Sequence, residues 1–281
     1  MARSRKTGID LRPGPFFRAA ASRLDLRSRR GFPVTVAWIV AGLSFLGFLS
    51  IAEDVLEPAT LALDRLATAS IALFANPVCT RIMWLFTLMG DTRVMVVETI
   101  VAATLLAVWG HPRRAGSVVV LVATGVLVSE FLKGLVDRPR PPASLALLSQ
   151  PGSASFPSGH ALAGVLLFGT LALMLVVSRT PKPLRVWGTV GTVIVALSIG
   201  VSRVYLGVHF MSDVLASWLL GTTMLATWAA AVLVWGRTQP PIEERVVHPW
   251  GRLWWRWALA AVGIAAVVVA LFAETAVTPL L

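Results

Sequence analysis

Long apolar runs alternate with short polar connections along most of this chain. Seven runs are close to the length of about 20 residues that a helix needs to cross the ~30 Å hydrocarbon core of a bilayer. These runs are 33–52, 92–110, 115–136, 158–178, 186–205, 213–236 and 257–276. The stretch between Glu53 and Asp91 differs, because charged residues and Pro77 interrupt its apolar positions. That pattern is typical of short amphipathic helices at a membrane interface.

The pattern predicts an all-α fold, a polytopic bundle of membrane helices. We expect six core transmembrane helices, a seventh at the C-terminus, and interfacial helices after the first span. The chain then divides into a basic cytoplasmic tail over 1–32, a membrane domain over 33–236, and a loop with an additional transmembrane helix over 237–281.

Composition supports a membrane protein and excludes other classes. Hydrophobic residues make up 56% of the chain and charged residues 14%, whereas soluble domains carry about 25% charged residues. A soluble single-core enzyme and a disordered chain are therefore excluded. Cys79 is the single cysteine, so an intrachain disulfide is impossible and a disulfide scaffold is excluded as well.

Basic residues predict the orientation of the spans. If the spans alternate, eighteen of the 25 Lys and Arg residues fall on one face. They lie in the tail, the 111–114 turn, the 179–185 loop and the 237–256 segment. Cytoplasmic loops are enriched in Lys and Arg, so we expect a cytoplasmic N-terminus. The net charge of +11 is explained by orientation and contact with anionic lipids, and no nucleic-acid partner is expected.

Three groups of polar residues fall on the opposite, outer face. They are Lys133 followed by Arg140-Pro141, then Pro157-Ser158-Gly159-His160, and Ser202-Arg203 followed by His209 and Asp213. Each group alone has an ordinary structural explanation: cations at span ends, a helix start, or a hydrogen-bonded pair at a helix N-terminus. Ionisable groups near membrane depth are functional by default, and the coincidence of all three on one side predicts a site.

The cations of the three groups suit a phosphate group. Lys133, Arg140 and Arg203 are positively charged, and the guanidinium fork matches phosphate oxygens. Ser158 and Gly159 begin a helix, and the free N–H groups at a helix N-terminus bind anions. The outer loops offer no acidic cluster suited to Mg²⁺, so we expect neither a metal nor another cofactor.

Two histidines beside a phosphate predict phosphoryl transfer. Asp213 follows His209 by one helical turn, where its carboxylate can hold one ring N–H and leave the other nitrogen as a nucleophile. His160 has no such carboxylate in its segment and is the candidate proton donor to the leaving oxygen.

The three groups together resemble the signature of the type-2 phosphatidic acid phosphatase superfamily, membrane lipid phosphatases whose fold is shared with vanadium haloperoxidases. The stretch Leu88-Met89-Gly90-Asp91 also resembles bacterial members. The resemblance implies a phosphohistidine formed on His209, with Asp213 as its partner and His160 as general acid. It assigns phosphate binding to Lys133, Arg140, Ser158, Gly159 and Arg203. A seventh span and the basic tail depart from the family pattern.

The resemblance implies hydrolysis of a lipid phosphate at the outer face of a bacterial plasma membrane. The implied substrates are undecaprenyl diphosphate, which we place first, phosphatidic acid and phosphatidylglycerol phosphate. Membrane lipids are the other expected partners, and the oligomeric state is left open. Leu145, Leu147 and Leu148 either help to admit the lipid or form ordinary loop packing.

Two alternatives remain open at this point. The same histidine chemistry would serve a phosphotransferase that passes the phosphoryl group to another lipid or sugar. A non-catalytic transporter or scaffold would instead use intramembrane charges such as Glu98 and Glu130 to bind anionic lipid. Pairing with nearby groups explains these acids better, since Glu130 lies three residues before Lys133 on one helix face.

Overall fold

A computed structural model of the chain describes residues 31–150, 152–178 and 180–235. Within these ranges the chain is helical and has no strand, which confirms the predicted all-α fold. The helices are α1 Phe32–Asp54, α2 Pro58–Ala72, α3 Pro77–Met89, α4 Thr92–Val108, α5 Pro112–Val136, α6 Gly159–Val176, α7 Lys182–Tyr205 and α8 Met211–Trp235. A short 3-10 turn, Ala143–Leu145, lies between α5 and α6.

Within the described ranges five helices are long and apolar enough to cross a membrane: α1, α5, α6, α7 and residues Met211–Val234 of α8. Helix α4 coincides with the predicted span 92–110, but its 17 residues rise only about 25 Å at ~1.5 Å per residue. The count of six core spans therefore stays a prediction. The predicted seventh span, 257–276, lies outside the described residues, as does nearly all of the basic tail.

Helices α2 and α3 occupy the stretch for which short helices were predicted, with 15 and 13 residues. Each has a proline in its first turn, where the missing N–H costs no helical hydrogen bond. The side chain of Asn76 caps α3 by accepting a hydrogen bond from the Cys79 N–H at 2.9 Å. Their position at a membrane interface stays a prediction.

Helix α6 is the most enclosed of the five candidate spans; α5 and α7 pack antiparallel to it, and α8 packs parallel to it. Leu162 and Leu166 of α6 are fully buried, and they join a core with Val118 of α5. Helix α1 runs against α8: Thr223 Oγ1 donates to the Ala41 carbonyl at 3.5 Å, whereas Gly47, later in α1, faces Leu219, earlier in α8.

Two backbone turns shape the end of the bundle where α5 and α7 end. Asp137 ends α5 with a left-handed φ of 44°, a conformation that Asp adopts more readily than most residues. Gly207 also has a positive φ, 68°, and any Cβ there would collide with the Leu145 carbonyl. The Leu147 N–H donates to the Leu206 carbonyl at 3.0 Å, so the loop after α5 packs against the turn before His209.

Candidate active site

The structure brings the predicted site residues together at this end of the bundle. The Ser158 N–H donates to the Asp213 carbonyl at 3.4 Å, and the His209 N–H donates to the Arg203 carbonyl at 3.3 Å. A Cβ on Gly159 would lie 3.7 Å from Lys133 Nζ. The ends of α5 and α7 therefore meet the starts of α6 and α8, as the alternation of spans requires.

Asp213 is the anchor of the His209 ring. Its Oδ2 lies 3.4 Å from His209 Nδ1, as the spacing of one helical turn predicts. The same oxygen accepts from the Phe210 N–H at 2.9 Å and from the Ser155 hydroxyl. These hydrogen bonds fix the orientation of the carboxylate, and the carboxylate in turn fixes the orientation of the imidazole ring.

The other ring nitrogen of His209 faces Arg140, whose Nη1 lies 3.2 Å from Nε2. An arginine can only donate, so we assign the lone pair to Nε2 and the ring proton to Nδ1. Burial lowers the pKa of His209 to about 4, and the ring is neutral at pH 7. A neutral imidazole that carries its lone pair on Nε2 is the form that attacks phosphorus.

Backbone carbonyls hold the guanidinium of Arg140. Its Nη1 donates to Val208 O at 2.7 Å and its Nε donates to Ser153 O at 2.8 Å. Burial lowers the pKa of Arg140, and the charge of Asp213 opposes this change. An arginine stays protonated under these conditions, and its carbonyl partners carry no formal charge. Most of its positive charge is therefore available to an anion.

Ser158 at the start of α6 and Arg203 near the end of α7 each have a buried polar atom without a partner among the residues that the structure describes. Ser158 is the N-cap residue but forms no capping hydrogen bond through its side chain, and its buried Oγ has no partner in the described residues. Arg203 donates from Nη1 to the Thr87 hydroxyl, whereas its buried Nε is unpartnered in the same part of the chain. Buried polar groups are normally paired, so these donors are available to an anion.

His160, on the first turn of α6, packs against Gly90, between α3 and α4. A Cβ on Gly90 would lie 3.1 Å from His160 Cδ2 and 2.6 Å from Ile199 Cγ2. Only glycine lets the imidazole and α7 approach the backbone this closely. Gly90 belongs to the stretch that the sequence singled out by resemblance alone.

Sequence reasoning missed a buried network behind Asp213. Arg138 is fully buried; its Nη1 donates to the Asp213 carboxylate and its Nη2 donates to Asp64 Oδ2 at 2.7 Å. Asp64, on α2, also accepts from the Ser212 N–H at 3.1 Å. In the sequence, Arg138 is a cation close to the end of a predicted span, and Asp64 is one of the charged residues that interrupt the stretch between Glu53 and Asp91. The available signal was that Asp64 and Thr68 share one face of α2.

The two intramembrane acids behave differently from each other. Glu130 Oε1 accepts from Lys133 Nζ at 2.6 Å, as their spacing predicts. Glu98 Oε2 is buried and has no hydrogen-bond partner among the residues described. The described ranges contain no group of three or more His, Cys, Asp or Glu residues that could hold a metal ion, and chemistry without a metal stays a prediction.

Comparison with known proteins gives consistent matches. Residues 114–239 match the PAP2 superfamily. The chain is 28% identical over 182 residues to phosphatidylglycerophosphatase B of Bacillus subtilis (strain 168), covering 63% of this chain and 87% of that protein. It is 32% identical over 146 residues to an undecaprenyl-diphosphatase of Sulfolobus acidocaldarius, covering 50% of this chain and 64% of that protein.

A solved structure has the same fold. The crystal structure of the first transmembrane PAP2 type phosphatidylglycerolphosphate phosphatase from Bacillus subtilis aligns with a TM-score of 0.62 and 25% sequence identity. The alignment covers 72% of this chain and 98% of that one. The matched region runs from the first turn of α5 past the end of α8, so the match to the PAP2 superfamily covers every predicted site residue.

Proposed function

We propose that this chain is a lipid phosphatase that works through a covalent phosphohistidine on His209. The observation that carries the proposal is the position of the His209 ring between Asp213, 3.4 Å from Nδ1, and Arg140, 3.2 Å from Nε2. The nitrogen with the lone pair thus faces a cation that can hold a phosphate oxygen. This arrangement suits an attack on phosphorus.

In the first step the phosphate group binds to Arg140, Arg203, Lys133 and the N-terminus of α6. The Nε2 lone pair attacks phosphorus and forms a P–N bond, while the P–O bond to the lipid breaks on the opposite side. The electron pair of the broken bond stays on the lipid oxygen, and His160 donates a proton to it. The cations stabilise the charge on the equatorial oxygens.

In the second step water replaces the lipid. His160, now neutral, takes a proton from the water, whose oxygen attacks phosphorus. The P–N bond breaks, its electron pair returns to Nε2, and inorganic phosphate leaves. Both histidines recover their starting protonation states, so the cycle closes without a cofactor.

We propose a lipid substrate reached from the outer side of a bacterial plasma membrane. The site lies at the end of the bundle opposite the 111–114 turn and the 180–185 segment, which carry Arg113, Arg114, Lys182 and Arg185. Under the positive-inside rule that arrangement supports a site on the outer side. When the phosphate group of a lipid binds at this end of the bundle, the acyl or prenyl tails of that lipid stay in the bilayer. The relatives are named for phosphatidylglycerol phosphate and undecaprenyl diphosphate, and both are candidate substrates.

The test is phosphate release by the purified full chain in detergent with EDTA present. Undecaprenyl diphosphate, phosphatidylglycerol phosphate and phosphatidic acid are compared, and we expect release from at least one. His209→Ala should abolish release, whereas His111→Ala, an exposed histidine at the start of α5, should keep it. Release that needs an added acceptor would indicate a phosphotransferase. No release from any lipid would refute the proposed activity.

The phosphohistidine has its own test. Substrate labelled with ³²P at the transferred phosphorus is mixed with enzyme and quenched in alkali, under which phosphohistidine survives. We expect label on the wild-type chain and on His160→Ala, but not on His209→Ala. Turnover without label on any variant would instead favour direct attack by water.

A further inference from the structure

The buried face of α5 changes from apolar to polar where the helix approaches the site. The residues that α5 buries are Ala115, Val118, Leu121, Val122, Gly125 and Ser129. Ser129 alone among them is polar, and it is 2% exposed. It lies one helical turn before Lys133, on the deeper side of the site. A hydroxyl at this position needs an explanation, because every other buried residue on this face of α5 packs without a polar side chain.

The hydroxyl of Ser129 forms no hydrogen bond within the part of the chain that the structure describes. A helical serine ordinarily bonds the carbonyl four residues earlier. Ser117 of the same helix does so with Arg113 O at 3.0 Å, and Ser217 does so with Asp213 O at 2.7 Å. Ser129 does not, so its hydroxyl is directed away from its own helix.

Ser129 faces the start of α6. A Cβ placed on Gly159 would lie 3.4 Å from Ser129 Oγ and 3.7 Å from Lys133 Nζ. The hydroxyl is therefore beside two groups of the phosphate site. Ser158 Oγ and Arg203 Nε are also buried without partners. Three unpaired polar groups around one helix N-terminus, each more than nine-tenths buried as a residue, point to a ligand that completes their hydrogen bonds.

We propose that Ser129 is a further phosphate-binding residue, whose hydroxyl donates a hydrogen bond to a non-bridging oxygen of the substrate phosphate between Lys133 and Gly159. The proposal rests on the proposed function and extends its phosphate site beyond the three sequence motifs. Ser129 binds and orients the phosphate group and transfers no proton.

The test compares activity and stability of Ser129→Ala. Removing a hydroxyl that is unpaired in the free protein should leave the thermal midpoint unchanged or raise it, because no protein hydrogen bond is lost. Removing a donor to the phosphate should lower kcat/KM for the preferred lipid phosphate by about tenfold. A hydroxyl with a purely structural role would give the opposite pair of results: a lower midpoint and unchanged kcat/KM.

Ser117→Ala is the matched control, since Ser117 is on the same helix but far from the site. We expect it to keep wild-type kcat/KM. A second measurement, the rise in thermal midpoint caused by inorganic phosphate, detects binding without turnover, and we expect a smaller rise for Ser129→Ala than for wild type. If wild type releases no phosphate from lipids but is stabilised by inorganic phosphate, the proposed activity is refuted. The comparison of the two thermal midpoints then still tests whether Ser129 binds phosphate. Equal phosphate responses and equal kcat/KM would overturn the inference.

Discussion

The guanidinium of Arg138 lies 2.7 Å from the carboxylate of Asp64, and this contact fastens α2 to the segment that carries Asp213. Arg138 also donates to Asp213 itself and lies over the ring of Phe210, 4.5 Å from its centroid. Two carboxylates therefore share one buried cation. The ionised state of Asp213, and through it the orientation of His209, depends on a helix that contributes none of the predicted catalytic or phosphate-binding residues.

Asp64→Asn should lower both stability and activity. Arg138 keeps its pair with Asp213 but loses its charge-assisted hydrogen bond to the Asp64 carboxylate, which costs about 1.5 to 3 kcal/mol. Arg138 would then draw closer to Asp213 and shift the His209 ring, lowering kcat by about tenfold. Thermal unfolding and phosphate release measure the two effects. Arg65→Gln, an exposed neighbour on α2, is the control and should change neither; an active, fully stable Asp64→Asn would contradict the role of the pair.

Asp213→Asn should lower kcat and leave KM little changed. The amide cannot accept the Nδ1 proton and keep its hydrogen bonds to Arg138 and Ser155 together, so the ring loses its fixed tautomer. Loss of the orienting carboxylate in a Ser-His-Asp triad costs about 10⁴-fold in kcat, and we expect a large loss of the same kind here. Steady-state kinetics on the preferred lipid test this, and a wild-type kcat would remove Asp213 from its proposed role.

The pKa of His209 sets the acid limb of the pH profile. Burial lowers this pKa to about 4; above it the ring is neutral and Nε2 keeps its lone pair. Activity that depends on His209 should therefore persist as the pH falls from 7 and be lost only as it falls through about 4. The profile of kcat/KM reports the free enzyme. Asp213 raises the pKa of His209, so Asp213→Asn should move this limb to still lower pH. A limb near 6.5 would contradict a buried neutral ring.

Gly90→Ala should impair catalysis through His160. The new methyl would lie 3.1 Å from the imidazole and 2.6 Å from Ile199, so the ring or α7 must shift. A displacement of this size in a proton donor costs about tenfold to a hundredfold in kcat. Gly116→Ala on α5 is the control, because nothing lies within 4 Å of its added Cβ. Wild-type rates for both variants would show that the position of His160 tolerates the change.

The sequence predicts the catalytic and phosphate-binding residues better than it predicts the buried network of Asp64 and Arg138 behind them. His209 lies two residues before α8 and Asp213 lies in the first turn of that helix, so local geometry brings these two side chains together. Ser158 to His160 begin α6. Asp64 and Arg138 are 74 residues apart. Their contact depends on how α2 lies against α8, which neither spacing nor hydropathy specifies. An arginine at a span end reads as a solvated cation until the tertiary structure shows its acidic partners.

The sequence gives no signal that Ser129 belongs to the site, for a related reason. A serine in an apolar run is common and well tolerated in membrane helices, because it ordinarily bonds its own helix. Its role depends on a hydroxyl direction and on the close approach of Gly159, and both are properties of packing between helices. The number of spans was difficult for another reason: α4 is short and carries Glu98, so length and apolarity alone leave it undecided.

The antiparallel contact of α1 with α8 leaves α1 beginning where α8 ends, at the far end of the bundle from His209. Segments attached before Phe32 or after Trp235 therefore join the protein on the side away from the chemistry. A fluorescent label on either of these two residues would therefore report on the protein from across the bundle, away from the phosphate-binding groups.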